Sequence, residues 1–162
     1  MSRNFDLQEV GDVHWLIKNF QFNSLIRSID ELIIVDVSRN ESDINLFFKT
    51  VDIISKEAFM PLSLGGKIIN EKTAEFYFKN GADKIIINSL YYFNPDEVFR
   101  IIKRYGNQSI TCSIDYKSLN SKNIVFVNNG THNTGIELNE YVIKMKEVGF
   151  GDLILNSIDK DG

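Results

Sequence analysis

Five short apolar runs, each closing on small or acidic residues, set the strongest limit on what this chain can fold into. IIVDVS ends on Asp36 and Ser38, LSLGG on Gly65 and Gly66, IIINS on Asn88 and Ser89, TCSID on Ser113 and Asp115, and LILNSID on Asn156, Ser157 and Asp159. Strands of a parallel sheet are buried on both faces and fill with Ile, Leu and Val, so only their ends can offer polar atoms to a ligand. Three of the segments also resemble one another: SIDELIIVDVS, GADKIIINS and GFGDLILNS share an acid before the strand, an aliphatic core and a small polar end. Repetition of one βα unit predicts an α/β fold, either a barrel or a doubly wound sheet, with a site along the carboxyl edge of its strands.

Between these runs the helical period and its punctuation are readable. Val13 to Phe20 and Asn23 to Ser28 read as short amphipathic helical pieces, the first capped by Asp12, and no strand opens the first thirty residues. Strands are expected at Leu32 to Val37, Met60 to Leu64, Lys84 to Asn88, Ile110 to Ile114 and Leu153 to Leu155. Helices are expected over Ile44 to Lys56, from the Asn70 cap to Asn80-Gly81, from Asn94-Pro95 to Gly106, and over Glu137 to Val148. Asn123 to Val127, followed by NNGTHNTG, predicts a short antiparallel hairpin inserted after the fourth strand. There is no linker or low-complexity tract, so residues 1–162 read as a single domain. A closed eight-stranded barrel takes about 250 residues, and SIDKDG ends the sequence as a strand end leading nowhere. The expectation is therefore an incomplete barrel.

A net charge of −4 and the lack of a basic cluster argue against a nucleic-acid surface. The sequence carries no charged-then-apolar leader and no apolar run of membrane-spanning length, which predicts a cytoplasmic protein without a membrane partner. The single cysteine, Cys112, is expected to be a buried, inert thiol. His14 and His132 lack the paired spacing of metal ligands, so no metal is expected.

Asp115 is the first candidate for chemistry. In ITCSIDYK, Thr111, Ser113 and Asp115 alternate to one face and Ile110, Cys112 and Ile114 to the other, placing an acid at a strand's carboxyl end for general acid or base work. The alternative is that Asp115 caps the next turn. Asp159 and Asp161 close the following strand. Gly65-Gly66 with Asn88-Ser89 could seat a phosphate through freed backbone N–H groups and side-chain donors, or Gly65-Gly66 could be a plain tight turn. Lys84 and Asp152 stand at the opposite strand ends, where a salt bridge or solvated charge is the default. Tyr91-Tyr92-Phe93 reads as packing.

SIDELIIVDVS, PLSLGGKI, NGADKIIINS, SIDYK, NTGIEL and LNSIDKDG, in that order and spacing, resemble the histidine-biosynthesis barrel family, and within it the cyclase subunit of imidazole glycerol phosphate synthase. The resemblance implies strands two to six of a (β/α)8 TIM barrel, without the first strand or the last two. It implies catalytic roles for Asp115 and Asp161, the latter close to substrate. The family's second catalytic aspartate belongs to a first-strand Cys-x-Asp pattern that this sequence does not contain. Gly65, Gly66, Asn88, Ser89, Asn156 and Ser157 would bind the phosphorylated small-molecule substrate, although the family's third turn glycine is Lys67 here. Glu31, Asp83, Lys84 and Asp152 would form the ammonia entry facing a glutaminase (glutamine amidotransferase) partner, with Asp152 where the family more often has Glu. The implied reaction joins ammonia to a phosphoribulosyl substrate, giving imidazole glycerol phosphate and an aminoimidazole carboxamide ribotide, without metal or organic cofactor. The leading segment through Leu32 is more similar to a branch associated with surface polysaccharide, where the barrel would serve ammonia-dependent amidation of a sugar. An inactive partial barrel that only binds a partner is the opposing reading.

Overall fold

Helix starts are decided by side chains that accept the first free N–H groups. In the computed structural model, which describes residues 2–3, 6–7, 9, 11–22, 28–38 and 43–161, helix α1 (Val13–Phe20) begins where Asp12 accepts the Trp15 N–H at 2.8 Å. Asp43 does the same for α2 (Ile44–Ser55) and Asn70 for α3 (Glu71–Lys79), the latter through Thr73 N–H at 2.9 Å. A five-residue helix α4 (Ser89–Phe93) fills the turn before Asn94-Pro95 opens α5 (Pro95–Tyr105), and α6 (Leu138–Val148) stops at Gly149 in left-handed conformation. The α4 turn was not expected from the sequence. Of the helical piece read at Asn23 to Ser28, residues 23–27 lie outside the described set, as does Gly162.

Contrary to the strandless start expected, β1 (Ser2–Arg3) and β2 (Asp6–Leu7) form a two-residue antiparallel ladder. The main sheet contains β3 (Leu32–Val35), β4 (Leu62–Gly65), β5 (Lys84–Ile87), β6 (Ile110–Leu119), β7 (Lys122–Val127), β8 (His132–Glu137) and β9 (Asp152–Ser157). Its parallel strands run β3-β4-β5-β6-β9, each beside the one before it in sequence. A doubly wound sheet must reverse its strand order at a switch point; this one never does, so it is the wall of an α/β barrel. The five strands are those read from the sequence, although β6 continues beyond Ile114 to Leu119. The continuation is paired antiparallel with β7, Asp115 to Phe126 through Leu119 to Lys122, and this pairing carries a polar segment that strand propensity alone would end. Asn128, Asn129 and Gly130, all at positive φ, turn the hairpin back into β8.

Alternation sorts the two faces of the wall. Leu64, Ile85, Ile87, Ile110, Cys112 and Ile114 are fully buried against Val51, Tyr77, Val98, Ile101 and Met145 of the helices. The other face is concave, and Ile33 and Val35 stand 49 and 41% exposed on it; Leu155, paired with Ile114 and so on the helix-bearing face, is 53% exposed. Among the described residues β3 pairs only with β4 and β9 only with β6. Unpaired strand edges beside exposed aliphatics promote association. Sedimentation velocity on this chain is expected to show concentration-dependent species; a concentration-independent monomer that unfolds cooperatively would contradict this.

Candidate functional site

Asp115 lies at the carboxyl end of the parallel wall, 8% exposed, and the strands on either side bring it its partners. The β6–β9 register sets Asp115 directly opposite Asn156, whose side-chain amide donates to Asp115 Oδ1 at 3.2 Å. Asn88, at the end of β5, donates to Asp115 Oδ2 at 2.9 Å and to the Ser113 carbonyl at 3.0 Å. Burial pushes the carboxyl up to about 6; the amides of Asn156 and Asn88 pull it back, and the negative charge of Asp161 adds to the rise. A carboxyl poised there can hold or release a proton close to neutral pH. The turn-cap alternative does not describe it: neither recorded donor to its side chain is a backbone N–H of the following turn.

Around Asp115 the concave face forms a cavity of about 610 Å³, within the range of small-molecule sites. Val35, Gly66, Lys67, Asn88, Ser89, Phe93, Asn128 and Asn156 are among its walls. Gly65 is buried in β4 instead, where an added Cβ would come 2.9 Å from Ile86 Cβ. Gly66, at φ +92°, passes so close to Asp36 that a Cβ would sit 2.2 Å from its carbonyl oxygen, and its own carbonyl accepts from the Tyr77 hydroxyl. Lys67 keeps a left-handed backbone at φ 56° and lines the cavity, where the family's turn has glycine. Phe93, read as packing, is 60% exposed in the same wall, whereas Tyr91 is buried as expected. Ser157 pairs across the ladder with Tyr116, and Asp159 accepts the Ser118 N–H at 2.7 Å.

At the opposite strand ends Lys84 bridges Asp152 at 2.7 Å and Glu31 at 3.5 Å. The hydrogen bond to Asp152, then the charge of Glu31, holds the Lys84 ammonium above its ordinary value despite partial desolvation. Ser63, buried and opposite Lys84 in the β4–β5 register, donates to Glu31. This cluster unites Glu31, Lys84 and Asp152. Asp83 stands apart from it, accepting the Leu62 N–H at 2.8 Å and so tying β4 to β5.

Ser63 and the reach of the hairpin tip to Ser89 were not read from the sequence, Lys67 was noted only as a departure from the family's turn glycine, and Phe93 was read as packing. A small polar residue inside an apolar strand was the available signal for Ser63; the Asn-Gly cluster signalled the turn at the tip, but nothing local signalled its contact with Ser89, 39 residues away. Cys112 is fully buried, and that burial, with Asp115 nearby, pushes its thiol up to about 12. Among the described residues no three His, Cys, Asp or Glu side chains gather as metal ligands, and no helix is long and apolar enough to cross a membrane.

Residues 4–162 match the model of a family described as histidine biosynthesis protein. Over 162 residues the chain is 37% identical to a protein of Parasynechococcus marenigrum provisionally named imidazole glycerol phosphate synthase subunit hisF2, covering 100% of this chain and 60% of that one. Imidazole glycerol phosphate synthase subunit HisF of Chlorobium phaeovibrioides is 34% identical over 133 residues, 82% of this chain and 53% of its own length. Its counterpart in Dictyoglomus thermophilum is 31% identical over 158 residues, 97% and 61%. The chain thus spans between half and two thirds of the length of these relatives. With a family match over nearly all of its residues and a barrel wall whose strand ends carry the matching motifs, the chain belongs to the histidine biosynthesis protein family.

Proposed function

We propose that this chain forms part of the cyclase subunit of an imidazole glycerol phosphate synthase, with Asp115 transferring protons while ammonia adds to a phosphoribulosyl substrate and the imidazole ring closes. The supporting observation is the Asp115 carboxyl, buried at the carboxyl rim of the wall, gripped by an amide from each side and titrating near neutrality. Asp161, whose charge acts on Asp115, stands close enough to tune it. In this reading a glutaminase partner delivers ammonia at the opposite face, past Glu31, Lys84 and Asp152.

A second reading, ammonia-dependent amidation of a surface-polysaccharide sugar, draws support from Lys67 and the exposed Phe93. A cation and an aromatic face in one wall suit an anionic sugar derivative.

Both readings are tested in a chimaera in which this chain replaces the matched segment of the Dictyoglomus thermophilum subunit, assayed with its glutaminase. With ammonium salt the chimaera is expected to form imidazole glycerol phosphate. Lys84→Ala should leave that rate within about twofold and cut glutamine-driven turnover about tenfold, because it breaks a charge cluster at the entry while leaving the chemistry untouched. Sugar amidation without imidazole formation would select the second reading, and neither activity would overturn both.

A further inference from the structure

We propose that Ser89 is a positioning residue that ties the tip of the β7–β8 hairpin to the carboxylate of Asp115 through Asn88. The inference rests on the reading of Asp115 as the proton-transfer group. Three hydrogen bonds run in one direction: the Asn128 backbone N–H donates to Ser89 Oγ at 2.8 Å, the Ser89 hydroxyl to Asn88 Oδ1 at 2.9 Å, and the Asn88 amide to Asp115 Oδ2 at 2.9 Å.

The direction is set at the hairpin end. A backbone N–H can only donate, so Ser89 Oγ is an acceptor there and its single proton is left for Asn88 Oδ1. With that oxygen engaged, the amide nitrogen of Asn88 must face the carboxylate and the Ser113 carbonyl. An Asn88 turned the other way would set its oxygen against a carboxylate oxygen and leave the Ser89 proton without an acceptor. The tip itself is seated on α4, where the His132 ring lies 5.4 Å from Tyr92 and 5.8 Å from Phe93 between centroids.

This arrangement adds an orienting role to the binding role that the resemblance implied for Asn88 and Ser89. Both N–H donors of Asn88 and the one proton of Ser89 are already used within the protein. An anion at this rim would have to compete with these internal bonds for the two side chains, beside Lys67 in the same cavity wall.

The test is a pH titration of this chain by NMR, with no substrate present, so its outcome does not depend on whether the proposed reaction is correct. The charged and titratable groups acting on Asp115 or sharing its cavity are Asp161, Asp36 and Lys67, and the Cys112 thiol beside it titrates far higher. In the parent chain the Asn88 side-chain amide and the Asn128 backbone amide are expected to shift together with the Asp115 carboxyl, at one midpoint near 6. Ser89→Ala should silence Asn128 and raise the Asp115 acid dissociation midpoint, weakening the acid about threefold to tenfold as Asn88 loses its orientation. Ser89→Thr, which keeps the hydroxyl, should restore the parent behaviour. Asp161→Asn should lower the midpoint without silencing Asn128, which separates charge from connection. An Asn128 amide that ignores Asp115 in the parent chain, or an unchanged midpoint in Ser89→Ala, overturns the proposal; if Ser89→Ala does not fold, the parent titration decides alone.

Discussion

Asp115→Asn is expected to lower ammonia-driven turnover in the chimaera by about 10²-fold or more, the usual contribution of a positioned acid or base. The substitution keeps size and shape but removes the proton. The parent rate should fall as pH drops through about 6, where the carboxylate is protonated, and the residual rate of the variant should lack that limb. Stability should move the other way. The folded-state value of Asp115 is raised above its ordinary 3.8, so the stabilisation from its protonated form is fully present below about 4 and is lost as pH rises through about 6. The variant, neutral throughout, should therefore gain on the parent between pH 4 and 7. The ceiling is about 3 kcal/mol, reduced because one end of the new amide would face the donors of Asn88 or Asn156. Urea unfolding at pH 4 and pH 8 measures the difference. Full ammonia-dependent activity of the variant, in either the imidazole-forming or the sugar-amidation assay, would remove Asp115 from the chemistry.

Gly66→Ala is expected to destabilise the chain by about 3 kcal/mol or more, lowering its Tm by roughly 10 °C. Two effects add. The residue sits at φ +92°, which an L side chain adopts only with strain, and its Cβ would be driven to 2.2 Å from the Asp36 carbonyl oxygen. Backbone is the obstacle, held by the Asp36 N–H to Gly65 carbonyl bond at 2.9 Å, so it cannot rotate away as a side chain would. Gly81 is the control: its φ is +98° but an added Cβ there meets nothing within 4 Å. Gly81→Ala should cost only the left-handed strain, about 1 kcal/mol. Equal melting temperatures for the two variants would show that the turn carrying Lys67 yields, and that its position in the cavity wall is not rigid.

Much of the wall was legible because it depends on neighbours in sequence. The period of two in ITCSID set Ser113 and Asp115 on the face opposite Ile110, Cys112 and Ile114; Asp12, Asn70 and Asn94-Pro95 marked their helices through contacts three residues away. Strand order was not legible in the βα pattern by itself, which a barrel and a doubly wound sheet share; the order of the motifs that resemble the histidine-biosynthesis barrels implied it, and the placement of β9 beside β6 agrees. The details of the site were not legible. Asn88 and Asn156 reach Asp115 across 27 and 41 residues of chain, Ser63 reaches Glu31 across 32, and Asn128 reaches Ser89 across 39. The sequence by itself determined that an acid would stand at a strand end, since alternation and burial are local consequences of residue type. Which amides grip that acid, and from which direction the hairpin meets it, was decided by strand register and by the extension of β6, because a hydrogen bond between distant segments forms only where the whole sheet brings donor and acceptor within about 3 Å.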